Sequence, residues 1–167
     1  MIYVFSDGSS LTANGIGGWA YAIVEGLIDP FQIKLLDKCG DCVKDAARGY
    51  KKTTNNRMEM AAANEGMRYV ADVYGVDQDL TLVTDSKYVI DGITKWRKNW
   101  EQRDFRGSAG PVKNKDIWIQ LFETVDSFEG ELQFKHVRGH QGFYWNEHVD
   151  KLARAAADSI REQQSGW

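Results

Sequence analysis

Two short apolar runs, each closed by an aspartate, constrain this chain more than any other feature. Ile2 to Ser6 (Ile-Tyr-Val-Phe-Ser) and Leu80 to Thr84 (Leu-Thr-Leu-Val-Thr) are stretches of strand-forming residues. The first is nearly continuous in its apolar character, the mark of a strand covered on both faces and therefore central in its sheet. It ends in Asp7-Gly8-Ser9-Ser10, and the second run ends in Asp85-Ser86. Arg57 to Tyr74 between them has a helical pattern, with Met58, Ala62, Tyr69, Val70 and Val73 near one face and Gly75 closing it. A helical crossover permits the two strands to lie parallel and adjacent, with Asp7 and Asp85 emerging side by side. Like charges at that range repel, so something cationic is expected between them. Acids at the ends of buried strands are a common address for function in open sheets, although Asp7 taken alone also fits a turn aspartate before glycine.

The remaining segments complete an α/β pattern. Gly15 to Gly18 suggest a turn and Trp19 to Val24 a second strand. A third strand is expected within the weaker region from Glu25 to Gly49, where Phe31 to Leu36 alternates and Ala46 to Lys52 again reads as strand. Ser86 opens a helix through Ile93, Lys113-Asn114-Lys115 leads into a helix to about Phe128, and Glu131 to Val137 is a fifth strand. The last helix is expected from near Asn146, with Val149, Leu152, Ala153, Ala156 and Ile160 as its apolar stripe and Asp150 at the stripe's edge. With 167 residues and neither repeat nor linker, the chain reads as one domain over residues 1–162, followed by a frayed tail at 163–167.

Between the third strand and the first long helix stands Thr53-Thr54-Asn55-Asn56-Arg57-Met58-Glu59, preceded by Lys51 and Lys52. Its hydroxyls, amides and ammonium groups suit a phosphate-sugar backbone, and a carboxylate follows within one turn. The plainer reading is a helix capped by Asn56, with Glu59 three residues on as in a capping box.

A composition of 43% hydrophobic and 27% charged residues fits a soluble globular protein. No apolar run approaches a membrane span, and the chain opens on a strand without a charged leader, so no membrane partner is expected and the cytoplasm is the default location. A net charge of -3 argues against binding nucleic acid through the overall field. Any such contact needs a local patch, and Lys95 to Arg106 supplies one. There Lys95, Arg97, Lys98, Arg103 and Arg106 outnumber Glu101 and Asp104 and are interleaved with Trp96, Trp100 and Phe105. Trp96 is expected to serve as a core anchor while the basic residues meet phosphates. Cys39 and Cys42 form a Cys-Gly-Asp-Cys, but His136, His140 and His148 lie far downstream, so reduced thiols in a loop are the expectation, with zinc or a redox pair as the alternative.

Glycines flank His140 in Arg138-Gly139-His140-Gln141-Gly142, as a mobile proton carrier would need. Four acids now stand at element ends: Asp7 and Asp85 after strands, Glu59 and Asp150 in opening turns of helices. Four carboxylates suit hard cations such as magnesium. Two ions roughly 3.5 to 4 Å apart would serve phosphoryl displacement on a nucleic acid strand.

At these residues the chain resembles the type 1 ribonuclease H family. The resemblance rests on Asp7-Gly8-Ser9, Thr53 to Glu59, Thr84-Asp85-Ser86-Lys87-Tyr88-Val89, Gly92-Ile93-Thr94 running into the tryptophan-rich basic stretch, Pro111-Val112-Lys113-Asn114, and Gly139-His140 with Asn146 and Asp150, in order along nearly the whole chain. It implies a ribonuclease H-like fold: a five-stranded mixed sheet, the first three strands antiparallel, with helices on both faces. It also implies endonucleolytic cleavage of the RNA strand of RNA-DNA hybrids, leaving 5′-phosphate and 3′-hydroxyl ends. Asp7, Glu59, Asp85 and Asp150 match the family's metal-binding carboxylates, for two Mg2+ ions with Mn2+ as a substitute, and His140 matches its proton-transfer or product-release histidine. Lys52, Thr54 and Asn114 match a DNA-phosphate grip, and Asn55, Asn56, Trp100 and Ser108 match further hybrid contacts. Lys95, Arg97, Lys98 and Phe105 belong to the stretch matching the basic protrusion. A monomer with the hybrid as partner is expected.

Three departures stand out. Phe105 replaces a usual tryptophan, Gly26 to Gly49 is longer than the pattern and carries the cysteines, and Phe143-Tyr144-Trp145 makes the histidine loop unusually aromatic. The readings set against the nuclease are a different enzyme on the same fold, a module that binds hybrid or structured RNA without cutting, and a scaffold whose acids are only caps.

Overall fold

The computed structural model describes residues 1–11, 15–27, 39–139 and 142–165. A five-stranded sheet runs in the order β3-β2-β1-β4-β7, built from β1 (Ile2–Leu11), β2 (Ile16–Glu25), β3 (Asp41–Tyr50), β4 (Leu80–Thr84) and β7 (Leu132–His136). β2 is antiparallel to both of its neighbours, β1 and β3, whereas β4 lies parallel to β1 and β7 parallel to β4. The helices are α1 (Asn55–Tyr74), α2 (Lys87–Asp91), α3 (Arg97–Gln102), α4 (Lys115–Ser127) and α5 (Tyr144–Ser165), and β5 (Arg106–Gly107) and β6 (Gly110–Pro111) form a small hairpin.

Alternation along β1 divides the core in two, because successive strand side chains point to opposite faces. Ile2 and Val4 pack with Met60, Met67 and Val70 of α1 and with Trp118, Leu121 and Phe122 of α4. Tyr3 and Phe5 pack instead with Trp145, Val149 and Ala153 of α5. β1 is therefore covered on both faces, as its apolar run predicts.

Several local details differ from expectation. β1 does not end at Asp7; it continues to Leu11, because the backbone from Asp7 onward stays paired with β2 from Ala20 to Ile16. What ends at that point is the parallel ladder, whose last pair is Ser6 with Thr84. Gly17 and Gly18 lie inside β2 rather than in a turn. β3 takes in Cys42, which is therefore a strand residue, while the alternating stretch Phe31 to Leu36 lies outside the described residues. On α1, Met58, Ala62 and Val70 are buried, but Val73 is exposed at 58%. The tail expected from residue 163 begins as helix, α5 holding to Ser165.

Between α2 and α3 the helix loosens into one π-helical turn, Gly92–Trp96. From this segment a run of aromatic contacts leads inward, Trp96 against Trp100 and Trp100 against Trp118, with ring centroids 5.7 and 5.2 Å apart. Trp118 is fully buried and Trp96 half-buried, so the principal anchor is Trp118 rather than Trp96.

Candidate active site

The last parallel pair places Asp7 and Asp85 at the next step of two adjacent strands. Their oxygens, together with one from Glu59, all lie within 4.8 Å of one another. Glu59 arrives from α1, which is capped by Thr54 and not by Asn56. The Thr54 hydroxyl accepts the Arg57 amide at 3.2 Å. Glu59 thus falls two residues past the capping-box position, which Arg57 occupies, and its side chain is buried at the sheet. Gly8 permits that approach: a Cβ added there would stand 2.4 Å from the Glu59 amide nitrogen and 2.5 Å from the Met58 carbonyl carbon.

Burial and repulsion govern the electrostatics. Asp7 and Glu59 are 2% and 5% exposed. Loss of hydration, then the Glu59 and Asp85 charges, push the Asp7 carboxyl far above the usual carboxylate range. Burial, then the Asp85 charge, raises Glu59 in the same direction, opposed in part by the Asp7 hydrogen bond. Like charges and desolvation dominate, and this is the repulsion from which something cationic is expected between Asp7 and Asp85. Glu59 Oε2 is buried with no hydrogen-bond partner among the described residues, a costly state for a carboxylate oxygen. A cluster of oxygen donors that repel one another, one of them lacking a partner, fits a hard divalent cation.

Asp150 lies on α5, close enough to Asp7 to help raise its carboxyl. Arg154 Nη2 donates to Asp150 Oδ2 at 2.7 Å. Asp150 therefore stands at the rim rather than inside the tight group of three. His140, expected as the proton carrier, lies outside the described residues. The segment leading to it passes over the cluster, since a Cβ on Gly139 would meet Asp85 Oδ2 at 2.8 Å. His136 bonds the Asp85 backbone carbonyl at 3.0 Å and so fixes the strand end beneath.

The expected substrate contacts fall into two groups. Lys52, Thr54, Asn55 and Asn56 are exposed where α1 begins. Asn114, left-handed with φ 61°, precedes α4, accepts Arg57 Nη1 at 3.2 Å and donates to the Tyr88 hydroxyl at 3.2 Å. Arg57 also forms a two-pronged pair with Asp116, at 3.1 and 2.8 Å, which ties the starts of α1 and α4 together. Nothing in the sequence alone assigns Arg57 a role of its own, although it lies within Thr53 to Glu59.

The second group is the ridge from α2 to β6. Trp100 is half-buried against Trp118, Phe105 packs on Phe122, and Ser108 is exposed in the hairpin. Its cations are unequal. Arg97 is held by Glu101 and, at 2.7 Å, by Asp126, and lies 4.7 Å over the Phe122 ring. Lys95 reaches Asp91 at 3.5 Å. Lys98 is exposed and makes no ion pair among the described residues.

Comparison with known proteins gives a consistent result. The family model described as RNase H matches residues 1–158. Ribonuclease H of Pseudomonas fluorescens is 37% identical over 161 residues, covering 96% of this chain and 94% of that protein. Among solved structures, LC9-RNase H1, a type 1 RNase H with the type 2 active-site motif, superposes with a TM-score of 0.76 at 28% identity, over 95% of this chain and 72% of that one. LC11-RNase H1, solved in complex with RNA/DNA hybrid, shares the fold with a TM-score of 0.66 at 16% identity, over 96% and 99% of the two chains.

Proposed function

The chain belongs to the ribonuclease H family and is a ribonuclease H enzyme, and from that premise we propose that it cuts the RNA strand of RNA-DNA hybrids internally, at the Asp7, Glu59 and Asp85 cluster. The observation that carries this reading is the convergence of three buried or half-buried carboxylates from three separate elements within 4.8 Å. A structure maintains so much uncompensated repulsion most readily at a functional site. A hybrid substrate is supported by the relatives' names and by the hybrid held in the LC11 structure.

In this reading Asp7, Glu59 and Asp85 hold divalent ions, magnesium being suited to their hard oxygens and manganese an acceptable substitute, with Asp150 at the rim. Two such ions, when bound, supply activation of the attacking water and charge stabilisation at the leaving oxygen, consistent with 5′-phosphate and 3′-hydroxyl products. The chain's own residues position the hybrid. Lys52, Thr54 and Asn114 hold a DNA phosphate, with Asn114 fixed by Arg57 and Tyr88. Asn55, Asn56, Trp100 and Ser108 make further hybrid contacts beside them, while Lys95, Arg97, Lys98 and Phe105 form the protrusion. A 2′-hydroxyl both donates and accepts, so contacts to it identify the RNA strand. His140 assists proton transfer or product release. Residues 1–162 act as a single catalytic domain, in a cytoplasmic monomer. Among the described residues no helix is long and apolar enough to cross a membrane.

The test is cleavage of end-labelled RNA-DNA hybrid with magnesium, beside double-stranded RNA, double-stranded DNA and single-stranded RNA, for wild type and Asp85→Asn. Internal cuts confined to the hybrid's RNA, and lost on chelation and on substitution, are expected. Hybrid bound yet uncut with either metal would overturn the proposal in favour of a binding module.

A further inference from the structure

Two of the sequence's departures from its family pattern, the cysteine pair and the aromatic triplet, meet in space. Trp145 Nε1 donates to the Cys39 carbonyl at 2.7 Å. One turn along α5, His148 Nε2 lies 3.0 Å from Asp45 Oδ2. Sγ of Cys42, a carboxylate oxygen of Asp45 and a ring nitrogen of His148 all lie within 4.8 Å of one another. These three residues, with Tyr144 and Trp145, line an open depression of about 490 Å³.

The backbone is shaped to bring them together. Residues three apart on a regular strand point to opposite faces, so Cys42 and Asp45 would ordinarily diverge. Here Ile23 pairs with Lys44 and Val24 with Cys42, leaving Val43 as an extra residue in β3. That bulge returns Asp45 to the Cys42 side, which is the side α5 covers. The His148 ring is steadied by Trp145, edge-on at 5.3 Å, and by Tyr144, stacked at 6.4 Å. Cys39 and Cys42 are both thiols, and the Cys42 Sγ–H donates to the Lys44 carbonyl at 3.4 Å.

We propose that Cys42, Asp45 and His148 form a transition-metal site, separate from the carboxylate cluster, which takes Zn2+ and completes its coordination with Cys39. Thiolate and imidazole, soft and intermediate donors, select zinc over magnesium, and zinc also accepts a single hard carboxylate oxygen. Cys39 stands at the Cys-x-x-Cys spacing usual for one zinc knuckle. On binding, each thiol gives its proton to solvent and ligates as thiolate. The ion would staple the first turn of α5 to β3, just before the helix presents Asp150.

The test uses the full chain under reducing conditions, carrying Asp85→Asn to weaken the carboxylate cluster, with cobalt and zinc as probes. One equivalent of cobalt should give tetrahedral ligand-field absorption and a thiolate-to-cobalt charge-transfer band. Cys42→Ser should abolish most of that band and Cys39→Ser roughly halve it. His148→Ala should weaken zinc in chelator competition by at least about 100-fold, more than loss of an outer partner would cost. Zinc should also raise Tm in the parent and not in His148→Ala, which keeps the proposal testable if a cysteine variant folds poorly. Absence of the charge-transfer band, or zinc affinity indifferent to His148→Ala, would overturn the site. Hybrid cleavage is not the readout, so failure here leaves the nuclease reading untouched.

Discussion

Gly8 faces the backbone of α1 at Glu59 with no room for a Cβ, which would stand 2.4 Å from the Glu59 amide nitrogen. The two nearest obstructing atoms are backbone, so no rotamer change relieves the clash and the start of α1 must itself shift. Gly8→Ala should destabilise the fold by about 1–3 kcal/mol, the range for overpacking a close contact. By moving Glu59 away from Asp7 it should also lower activity well beyond the loss of folded protein. Thermal melts beside cleavage rates at a temperature where both proteins are folded would check it. Unchanged activity would mean that the close approach does not position the acid.

The raised carboxyls give the metal-free protein a defined pH response. Glu59 shifts from 4.5 to about 8 in the folded state, and Asp7 shifts further in the same direction. A carboxyl raised on folding stabilises while protonated, and that contribution is lost as pH rises through the folded value. Metal-free wild type should therefore lose Tm from about pH 5 to about pH 9, more steeply than Glu59→Gln. At the upper end Glu59→Gln should be more stable than wild type by about 1–2 kcal/mol, as expected where function strains a site. Magnesium should flatten the wild-type profile. Parallel profiles with and without metal would show that the cluster binds none.

What the sequence made legible were features carried by local pattern and by one topological rule. The neighbourhood of Asp7 and Asp85 followed from two apolar runs and a helical crossover, and the parallel Ser6–Thr84 pairing realises it. Local chemistry was ambiguous where two residues could serve: Thr54 rather than Asn56 caps α1, and that one difference turns Glu59 from a cap into a buried site residue. Cys42 and His148 lie over a hundred positions apart, and only α5 crossing β3 joins them. Nor does a string of basic residues reveal which are already paired. Arg97 reads like Lys98 in sequence, and the Asp126 partner that separates them lies on another helix.

That separation sets up a salt-dependence experiment. Lys98 makes no ion pair among the described residues, so its charge is available to a phosphate. Arg97 bridges α3 to Asp126 of α4 and covers Phe122. Lys98→Ala should reduce the slope of log affinity for hybrid against log salt by roughly 1, the signature of one lost phosphate contact. Arg97→Ala should change that slope little and instead cost about 1–2 kcal/mol of stability through lost pairing and packing. Equal slope changes would mean that substrate competes Arg97 away from its partners.

Gly139 separates positioning from folding. A Cβ there would meet Asp85 Oδ2 at 2.8 Å and Cγ at 3.7 Å. Unlike the clash at Gly8, the obstructing atoms belong to the end of a half-buried side chain that can turn aside. Gly139→Ala should therefore leave the stability within about 0.5 kcal/mol of wild type, as for an ordinary surface change. A carboxylate displaced by about 1 Å is nevertheless enough to cost on the order of 100-fold in rate, because catalysis depends on pre-set geometry. The loss should appear in kcat and in magnesium affinity together, since Asp85 belongs to the cluster proposed to hold the ion. Measuring both, with hybrid affinity as the control, distinguishes a displaced acid from a disturbed residue 140. The first weakens magnesium, whereas the second slows turnover at unchanged metal affinity.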